Sequence, residues 1–129
     1  MPPSPSGTPS KKRVKAYQGG HRAEAFAAWY LQAKLYQIRD RRYKTPVGEI
    51  DLIVQRGRSI VFVEVKQRGK EEDEATALEA VNQSRISRAA QYWLTRHPAE
   101  AEKEFRFDVI FLAPGRWPRH LKNAFSLIE

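Results

Sequence analysis

The chain has 129 residues, of which 41% are hydrophobic and 29% are charged, and it contains no cysteine. This size and composition predict one globular domain, and the lack of cysteine excludes disulfides and thiolate metal sites. The net charge of +8 favours a polyanionic partner such as a nucleic acid.

The N-terminal segment differs in composition from the rest of the chain. Residues 1–18 are rich in proline and serine and carry basic side chains but no acid. We therefore predict a disordered basic tail over residues 1–18 and a single domain over residues 19–129. The tail does not resemble a signal peptide, and no apolar run has the length of a transmembrane helix. We expect a cytoplasmic protein with no membrane partner.

An alanine-rich stretch from about Gly20 to Leu35 predicts the first helix. On this helix Glu24 shares a face with small and apolar residues, namely Ala27, Ala28, Leu31 and Leu35. An acid on an apolar face is a candidate metal ligand. An acid in a first helical turn can also simply interact with the helix dipole, and both interpretations remain open.

Three strands are predicted next. Residues 36–43 form a first strand whose run of charges, Arg39 to Arg42, is typical of a sheet edge. Residues 48–54 and 60–66 are rich in β-branched and aromatic side chains and predict an antiparallel hairpin. Acids and a lysine interrupt both of these otherwise apolar strands, which is unusual for buried strands.

The turn of this hairpin sets its register. A two-residue loop at Gly57-Arg58 gives as opposed pairs Asp51 with Glu64 and Glu49 with Lys66. Because side chains alternate between faces, these four would share one face. The other face would carry Ile50, Leu52, Val54, Val61, Val63 and Val65. A turn one residue earlier would place Glu49 opposite Glu64 and keep the cluster.

Opposed carboxylates repel each other, and a divalent cation between them would reverse that interaction. Oxygen ligands suit Mg²⁺ or Mn²⁺, so we predict Asp51 and Glu64 as metal ligands, with Glu24 and Glu49 as further candidates. Lys66 would orient an attacking water or offset charge during phosphodiester hydrolysis. A simple ion pair between Glu49 and Lys66 is an equally open alternative.

The longest helical pattern runs from Ala75 to about Arg96. Its apolar stripe consists of Leu78, Val81, Ile86, Ala89, Ala90, Trp93 and Leu94. Arg85 and Arg88 lie off this stripe and, with Arg68 in the charged loop after the hairpin, are candidate contacts for nucleic-acid phosphates. Solvated arginines without a ligand are equally compatible with this placement.

The C-terminal part predicts one more strand and a covering segment. Residues 105–112 form a short apolar strand, central in the sheet, in which we expect Asp108 to have a structural hydrogen-bonding role. The segment with Trp117, Leu121, Phe125 and Leu127 is expected to cover one side of the core. The element order αβββαβ predicts an α/β fold, a central mixed β-sheet flanked by helices.

The hairpin carries a family resemblance. Residues 48–53, Gly-Glu-Ile-Asp-Leu-Ile, and residues 61–68, Val-Phe-Val-Glu-Val-Lys-Gln-Arg, resemble the signature of the YraN family of uncharacterised bacterial proteins. That family is assigned to the restriction-endonuclease-like superfamily with its PD-(D/E)xK motif, and it is similar to archaeal Holliday-junction resolvases. The resemblance implies Asp51 as the motif aspartate, Glu64 and Lys66 as the acid–lysine pair, and Glu24 as the first-helix acid.

The resemblance also implies a function. We expect a Mg²⁺- or Mn²⁺-dependent endonuclease with a restriction-endonuclease-like fold, acting on structured, branched or single-stranded DNA. Its catalytic residues would be Asp51, Glu64 and Lys66, and resolvase-like activity would favour a homodimer. The alternative is a non-catalytic nucleic-acid-binding accessory protein that retains the nuclease fold.

Overall fold

The computed structural model describes the backbone of residues 11–67 and 81–127, and the side chains of residues 22–67 and 81–127. Its elements in chain order are helix α1 (Lys11–Ala33), strands β1 (Gln37–Thr45), β2 (Gly48–Arg56) and β3 (Ser59–Gln67), helix α2 (Gln83–Arg96), a 3₁₀ turn (Pro98–Glu100), and strands β4 (Glu104–Leu112) and β5 (Arg119–Phe125). Within these residues no helix combines the length and apolar character needed to cross a membrane.

The strands form one mixed sheet in the order β1-β2-β3-β4-β5. Strands β3 and β4 are parallel, and every other neighbouring pair is antiparallel. The parallel pair requires a crossover, which contains α2. This architecture confirms the predicted α/β fold class and the edge position of β1. Strand β4 lies inside the sheet, but the central strand is β3.

Helices cover both faces of the sheet. One apolar cluster lies on the α1 side and includes Leu52 and Val63, and the other lies on the α2 side and includes Ile53 and Phe62. Consecutive residues of β2 and β3 therefore point into different clusters, and both are fully buried. This explains why these strands are almost continuously apolar rather than alternating.

The hairpin between β2 and β3 has the predicted turn. Arg56 pairs with Ser59, and Gly57 in the loop between them has a φ of 61°. A positive φ at the first loop position is typical of a II′ turn, which suits glycine. Regular pairing extends from this turn only as far as Leu52 and Val63. The predicted acidic pairs therefore lie just beyond the regular ladder.

Helix α1 differs from its predicted bounds at both ends. It begins at Lys11 rather than near Gly20, so part of the predicted tail is helical. It ends at Ala33 because Leu35 adopts a left-handed conformation with φ of 72°. The amides of Leu35 and Tyr36 donate to the carbonyls of Gln32 and Leu31, which is a Schellman motif.

This Schellman motif at the end of α1 also explains why the predicted apolar stripe is wrong at one residue. Ala27, Ala28 and Leu31 are fully buried, as predicted, but Leu35 is 80% exposed. Leu35 lies past the end of the helix, so helical spacing no longer determines where its side chain points. The left-handed conformation costs a residue with a Cβ about 1–2 kcal/mol, which glycine avoids.

Replacing Leu35 by glycine is therefore expected to stabilise the protein by about 1 kcal/mol. The exposed leucine loses little buried surface, so relief of the backbone strain should dominate. Urea unfolding followed by circular dichroism measures the change. Leu35→Ala, which keeps a Cβ, should unfold within about 0.5 kcal/mol of the wild type. A Leu35→Gly variant less stable than the alanine variant would contradict this prediction.

Helix α2 begins later than predicted. Residues 68–80, which include Arg68 and Leu78, lie outside the described residues, and Asn82 is not helical. The side chain of Asn82 accepts a hydrogen bond from the Arg85 amide at 3.1 Å, so it caps a helix that starts at Gln83. The rest of the predicted stripe is confirmed, because Val81, Ile86, Ala89, Ala90 and Trp93 are buried and Leu94 packs beside them.

The C-terminal segment forms an additional strand that the sequence analysis did not predict. Strand β5 pairs antiparallel with β4 at the edge of the sheet. Leu121, Phe125 and Leu127 pack against the α2-side cluster, as predicted for a covering segment. Trp117 does not, because it lies in the loop before β5 and is 77% exposed.

Asp108 is fully buried in β4 and holds the β5 edge to the rest of the fold. It accepts two hydrogen bonds from Arg106 at 2.9 and 3.0 Å, one from His120 Nε2 at 2.6 Å and one from the Asn123 amide at 2.9 Å. Lys34 Nζ lies 3.0 Å from His120 Nδ1, so that nitrogen accepts and Nε2 carries the proton. The structural role expected for Asp108 is therefore confirmed.

Candidate metal and nucleic-acid site

One end of the sheet gathers the predicted site residues. Lys66 lies next to the end of β3, and Glu49 lies next to the start of β2. These two strand ends meet because the strands are antiparallel. The first turn of α2 lies against the same end, since a Cβ on Gly48 would stand 2.5 Å from the Arg85 carbonyl oxygen. Only glycine permits this close approach of helix and strand.

The backbone is irregular around Asp51. Ile50 packs in the α2-side cluster, whereas Leu52 packs in the α1-side cluster. The prediction that both share one face is therefore wrong, and alternation is broken at the residue between them. The pairing of β1 with β2 places Arg42 opposite Asp51, and Arg42 has a left-handed φ of 51°. Both strands depart from regular geometry at this level.

The Asp51 carboxylate lies where the β2–β3 ladder opens. Its Oδ2 accepts a hydrogen bond from the Val65 amide at 2.8 Å, in place of a backbone carbonyl of β2. It is also joined by side-chain hydrogen bonds to Glu64 and to Glu24. The structure therefore brings these three predicted ligands together, with Asp51 between the other two.

The protonation of Glu64 reflects this crowding. Burial, followed by the charge of Asp51 and the hydrogen bond to it, raises the pKa of Glu64 to about 9. Lys66 opposes this shift only in part, since its Nζ lies 3.9 Å from Glu64 Oε2. At neutral pH without a cation, Glu64 is therefore protonated and shares its proton with Asp51.

Glu24 experiences a weaker version of the same environment. Burial and then the charge of Asp51 raise its pKa, and the guanidinium of Arg42, with Nε 3.6 Å from Glu24 Oε1, opposes them. Arg42 is a site residue that the sequence analysis missed, because its charge was interpreted as edge-strand protection. If Thr45 is paired with Gly48 across the β1–β2 turn, the resulting register places Arg42 opposite Asp51.

Glu49 and Lys66 do not form the predicted cross-strand pair. Both lie beyond the last regular pair of the hairpin, and Lys66 contacts Glu64 on its own strand instead. Glu49 is exposed and opposite Lys44 of β1. Its charge still contributes to raising the pKa of both Glu24 and Glu64, so it lies within electrostatic range of the cluster.

The donor set fits a small divalent cation. In the described parts of the chain, no three His, Asp or Glu side chains are placed as ready-made ligands of one ion. Asp51 and Glu64, which are joined by a hydrogen bond, offer two carboxyl groups to an ion. Mg²⁺ commonly uses one or two protein carboxylates and completes its shell with water and substrate phosphate. Two carboxyls that must share a proton in the absence of a cation would release it when a cation binds.

The pKa of Glu64 predicts how stability depends on pH in the metal-free protein. The folded state holds this proton up to about pH 9, whereas the unfolded chain releases it near pH 4.3. The contribution of this bound proton to the free energy of unfolding is therefore complete below about pH 4 and is lost as the pH rises towards 9. Glu64→Gln keeps a hydrogen-bond donor for Asp51 and should exceed the wild type in stability by more than about 1 kcal/mol at pH 8 in EDTA.

Urea unfolding at pH 6 and pH 9 measures this dependence. The wild type should become less stable between these values by more than the Glu64→Gln variant does. Glu104→Gln, an exposed charge removal on β4, is the matched control and should follow the wild type. Equal slopes for the wild type and Glu64→Gln would show that Glu64 does not hold the proton.

The predicted phosphate contacts lie partly near this cluster. Arg85 and Arg88 are exposed on the first half of α2, and the backbone of Arg85 touches Gly48 at the start of β2. Arg85 therefore lies at this end of the sheet, and Arg88 follows it three residues later on the same helix. Their role as nucleic-acid contacts remains a prediction.

The sequence matches one described family. The family termed "Uncharacterised protein family UPF0102" matches residues 23–112. The chain is similar to UPF0102 proteins of Rhodopseudomonas palustris strain BisB5, with 50% identity over 123 residues (95% of this chain and 94% of the relative), and of Methylorubrum extorquens strain PA1, with 47% identity over 123 residues (95% and 96%). The similar protein of Parvibaculum lavamentivorans shows 49% identity over 111 residues (86% and 84%). These names state no substrate, ligand or partner.

Proposed function

Because the chain belongs to the UPF0102 family, whose description states no activity, we propose from its own residues that it is a metal-dependent endonuclease. It would hydrolyse phosphodiester bonds of structured or branched DNA. We assign its site to the PD-(D/E)xK type of the restriction-endonuclease-like superfamily, with Asp51, Glu64 and Lys66 as the catalytic set.

The hydrogen-bonded pair of Asp51 and Glu64, with Lys66 close by, is the single observation that supports this proposal most. Buried or half-buried acids that must share a proton destabilise the metal-free protein, so a purely structural site gains nothing from them. A binding surface for anionic DNA would also be weakened by two carboxylates beside a phosphate. A cation held by these acids removes both objections.

In this proposal each residue of the site has its own role. Asp51 and Glu64 would hold Mg²⁺ or Mn²⁺, with Glu24 and Glu49 adding negative charge nearby. When bound, such an ion polarises the scissile phosphate and lowers the pKa of a coordinated water. Lys66 would donate a hydrogen bond to the attacking water or to a phosphate oxygen that gains charge in the transition state.

Substrate affinity would come from the basic character of the chain. The net charge is +8, and the exposed Arg85 and Arg88 lie on the helix that contacts the start of β2. Such contacts bind phosphates regardless of sequence, so affinity should fall steeply with salt. For branched DNA we further propose that a homodimer acts, because two sites would then face two strands.

A substrate panel tests the proposal. The full chain is incubated with duplex, flapped, single-stranded and four-way DNA in Mg²⁺, in Mn²⁺ and in EDTA. We expect cleavage of at least one structured substrate in a divalent cation and none in EDTA. Binding of these DNAs without cleavage in either metal would overturn the nuclease proposal and favour a non-catalytic accessory protein.

A further inference from the structure

The loop between β4 and β5 presents a large aromatic side chain to solvent. Trp117 is 77% exposed, and within the described part of the chain no aromatic ring stacks on it. An exposed indole ring offers a large flat apolar face, which suits stacking against another ring. The conformation of the loop is set by a left-handed Gly115, with φ of 71°, and by the buried Pro118.

This loop lies at the same end of the sheet as the proposed catalytic cluster. Lys66 on β3 is opposite Phe111 on β4, which is opposite Arg119 on β5. Neighbouring strands are about 4.8 Å apart, so the backbones of Lys66 and Arg119 are separated by about 10 Å. That distance corresponds to about three stacked nucleotides at 3.4 Å each. Trp117 precedes Arg119 by two residues.

The charge around this tryptophan favours an anionic ligand. Residues 109–128 contain no Asp or Glu, but they contain three basic side chains, Arg116, Arg119 and Lys122. Arg116 is exposed and directly precedes the tryptophan. An exposed ring next to a cation, with no acid in the segment, suits one nucleotide, since the ring can stack on the base and the cation can contact the phosphate.

We propose that Trp117 stacks on an unpaired nucleobase of the DNA strand whose backbone reaches the Asp51–Glu64 cluster. A base inside a regular duplex is already stacked on both faces and cannot accept another ring, so the ligand must have an unpaired base near the cleavage position. Single strands, flaps and junctions with open bases meet this requirement. The inference rests on the proposed function for DNA as the ligand, and it narrows the substrate class.

A second exposed tryptophan provides a matched control. Trp29 on α1 is 54% exposed, but its ring already stacks on Phe26 with centroids 5.8 Å apart. Glu24 shares the buried face of α1, whereas Phe26 and Trp29 point away from the sheet. Trp29→Ala therefore removes the same side chain at a position without access to the proposed site.

Fluorescence anisotropy in EDTA tests the inference without requiring cleavage. Wild type, Trp117→Ala, Trp117→Phe and Trp29→Ala are titrated with a labelled duplex, with the same duplex carrying one unpaired base, and with a third duplex in which an abasic site replaces that base. We expect Trp117→Ala to weaken binding of the unpaired-base DNA about 5- to 140-fold, the range for stacking of one base on one ring. Trp117→Phe should keep most of the affinity, and Trp29→Ala should match the wild type.

The abasic substrate makes the test specific for stacking. Wild type should lose affinity when the base is removed, whereas Trp117→Ala should be insensitive to its removal, as expected when two groups interact directly. If Trp117→Ala binds the unpaired-base DNA as tightly as wild type, the inference is overturned. The inference is also overturned if Trp117→Ala binds DNA as tightly as the wild type but no longer sediments as a dimer, because the loop would then be a protein interface. Stacking without any metal-dependent cleavage would support this inference and refute only the nuclease proposal.

Discussion

Asp51→Asn is expected to lower metal-dependent DNA cleavage by at least about a thousandfold, which corresponds to about 4 kcal/mol of transition-state stabilisation. The asparagine can still accept the hydrogen bond that the Val65 amide donates to Asp51, so the fold should persist. It removes the charge between Glu24 and Glu64 on which ion binding would depend. Initial rates on the best DNA substrate, measured in Mg²⁺ and in Mn²⁺, determine the effect.

Glu49→Gln is the matched control for this substitution. It removes one carboxylate charge from the same strand, but Glu49 is exposed and outside the hydrogen-bonded group. Its rate should fall by less than about tenfold, because a screened charge contributes little. DNA affinity in EDTA should be the same or slightly higher for both variants, since each removes negative charge. Cleavage by Asp51→Asn at the wild-type rate would show that the site lies elsewhere.

Lys66→Met separates a catalytic role from metal binding. Methionine keeps an apolar stem of similar length but cannot donate a hydrogen bond to water or phosphate. The ion would remain bound, so high Mg²⁺ should not restore the rate, whereas it should partly restore a variant that merely binds the ion weakly. If high Mg²⁺ fully restores the cleavage rate of Lys66→Met, Lys66 has no catalytic role and only supports ion binding by the neighbouring Glu64.

The sequence contained enough information to place the acids but not to orient them. The turn at Gly57 sets the hairpin register, and that register carries Asp51 and Glu64 to the same level of two neighbouring strands. The break in alternation at Asp51 was not predictable from a period of two, and no residue type indicates the left-handed Arg42 on the neighbouring strand that accompanies it. The shared proton follows from this local geometry and from burial.

Three other features depended on contacts distant in sequence. The exposure of Leu35 follows from a Schellman motif that forms without a glycine, so no residue type indicated the helix end. Strand β5 has charged residues among few apolar ones and gains its structure by pairing with β4. Trp117 was expected to belong to a segment that covers one side of the core, but it lies exposed in the loop that leads into that unpredicted strand.

The buried group around Asp108 connects these distant parts. Asp108 on β4 receives hydrogen bonds from His120 and from the amide of the left-handed Asn123, both on β5. Arg106 bonds to Asp108 and also donates to the Tyr36 hydroxyl at 2.7 Å, which ties β4 to the end of α1. The edge strand β5 is therefore held in place by one buried carboxylate.

Burial raises the pKa of Asp108, but hydrogen bonds from His120, Arg106 and the Asn123 amide outweigh burial and hold this pKa below its ordinary value. The proton is therefore bound more weakly in the folded state than in the unfolded chain. The stabilisation from Asp108 is present above about pH 4, the ordinary pKa of an aspartate, and is lost as the pH falls further. At neutral pH it is complete.

Asp108→Ala is accordingly expected to destabilise the protein by about 3–5 kcal/mol at pH 7, because it leaves the buried His120 and part of Arg106 without their acceptor. A loss of this size could unfold a small domain, so Asp108→Asn serves as a second variant that keeps the shape and one acceptor oxygen. Its deficit, measured by urea unfolding against wild type, should exceed about 1 kcal/mol at pH 7 and shrink towards pH 3, because the unfolded wild-type chain binds a proton there more readily than the folded state does. Glu104→Ala, an exposed acid on the same strand, should stay within about 0.5 kcal/mol of wild type at both pH values. A deficit of Asp108→Asn that is absent at pH 7, or unchanged at pH 3, would mean that the charge of Asp108 does not hold β5 in place.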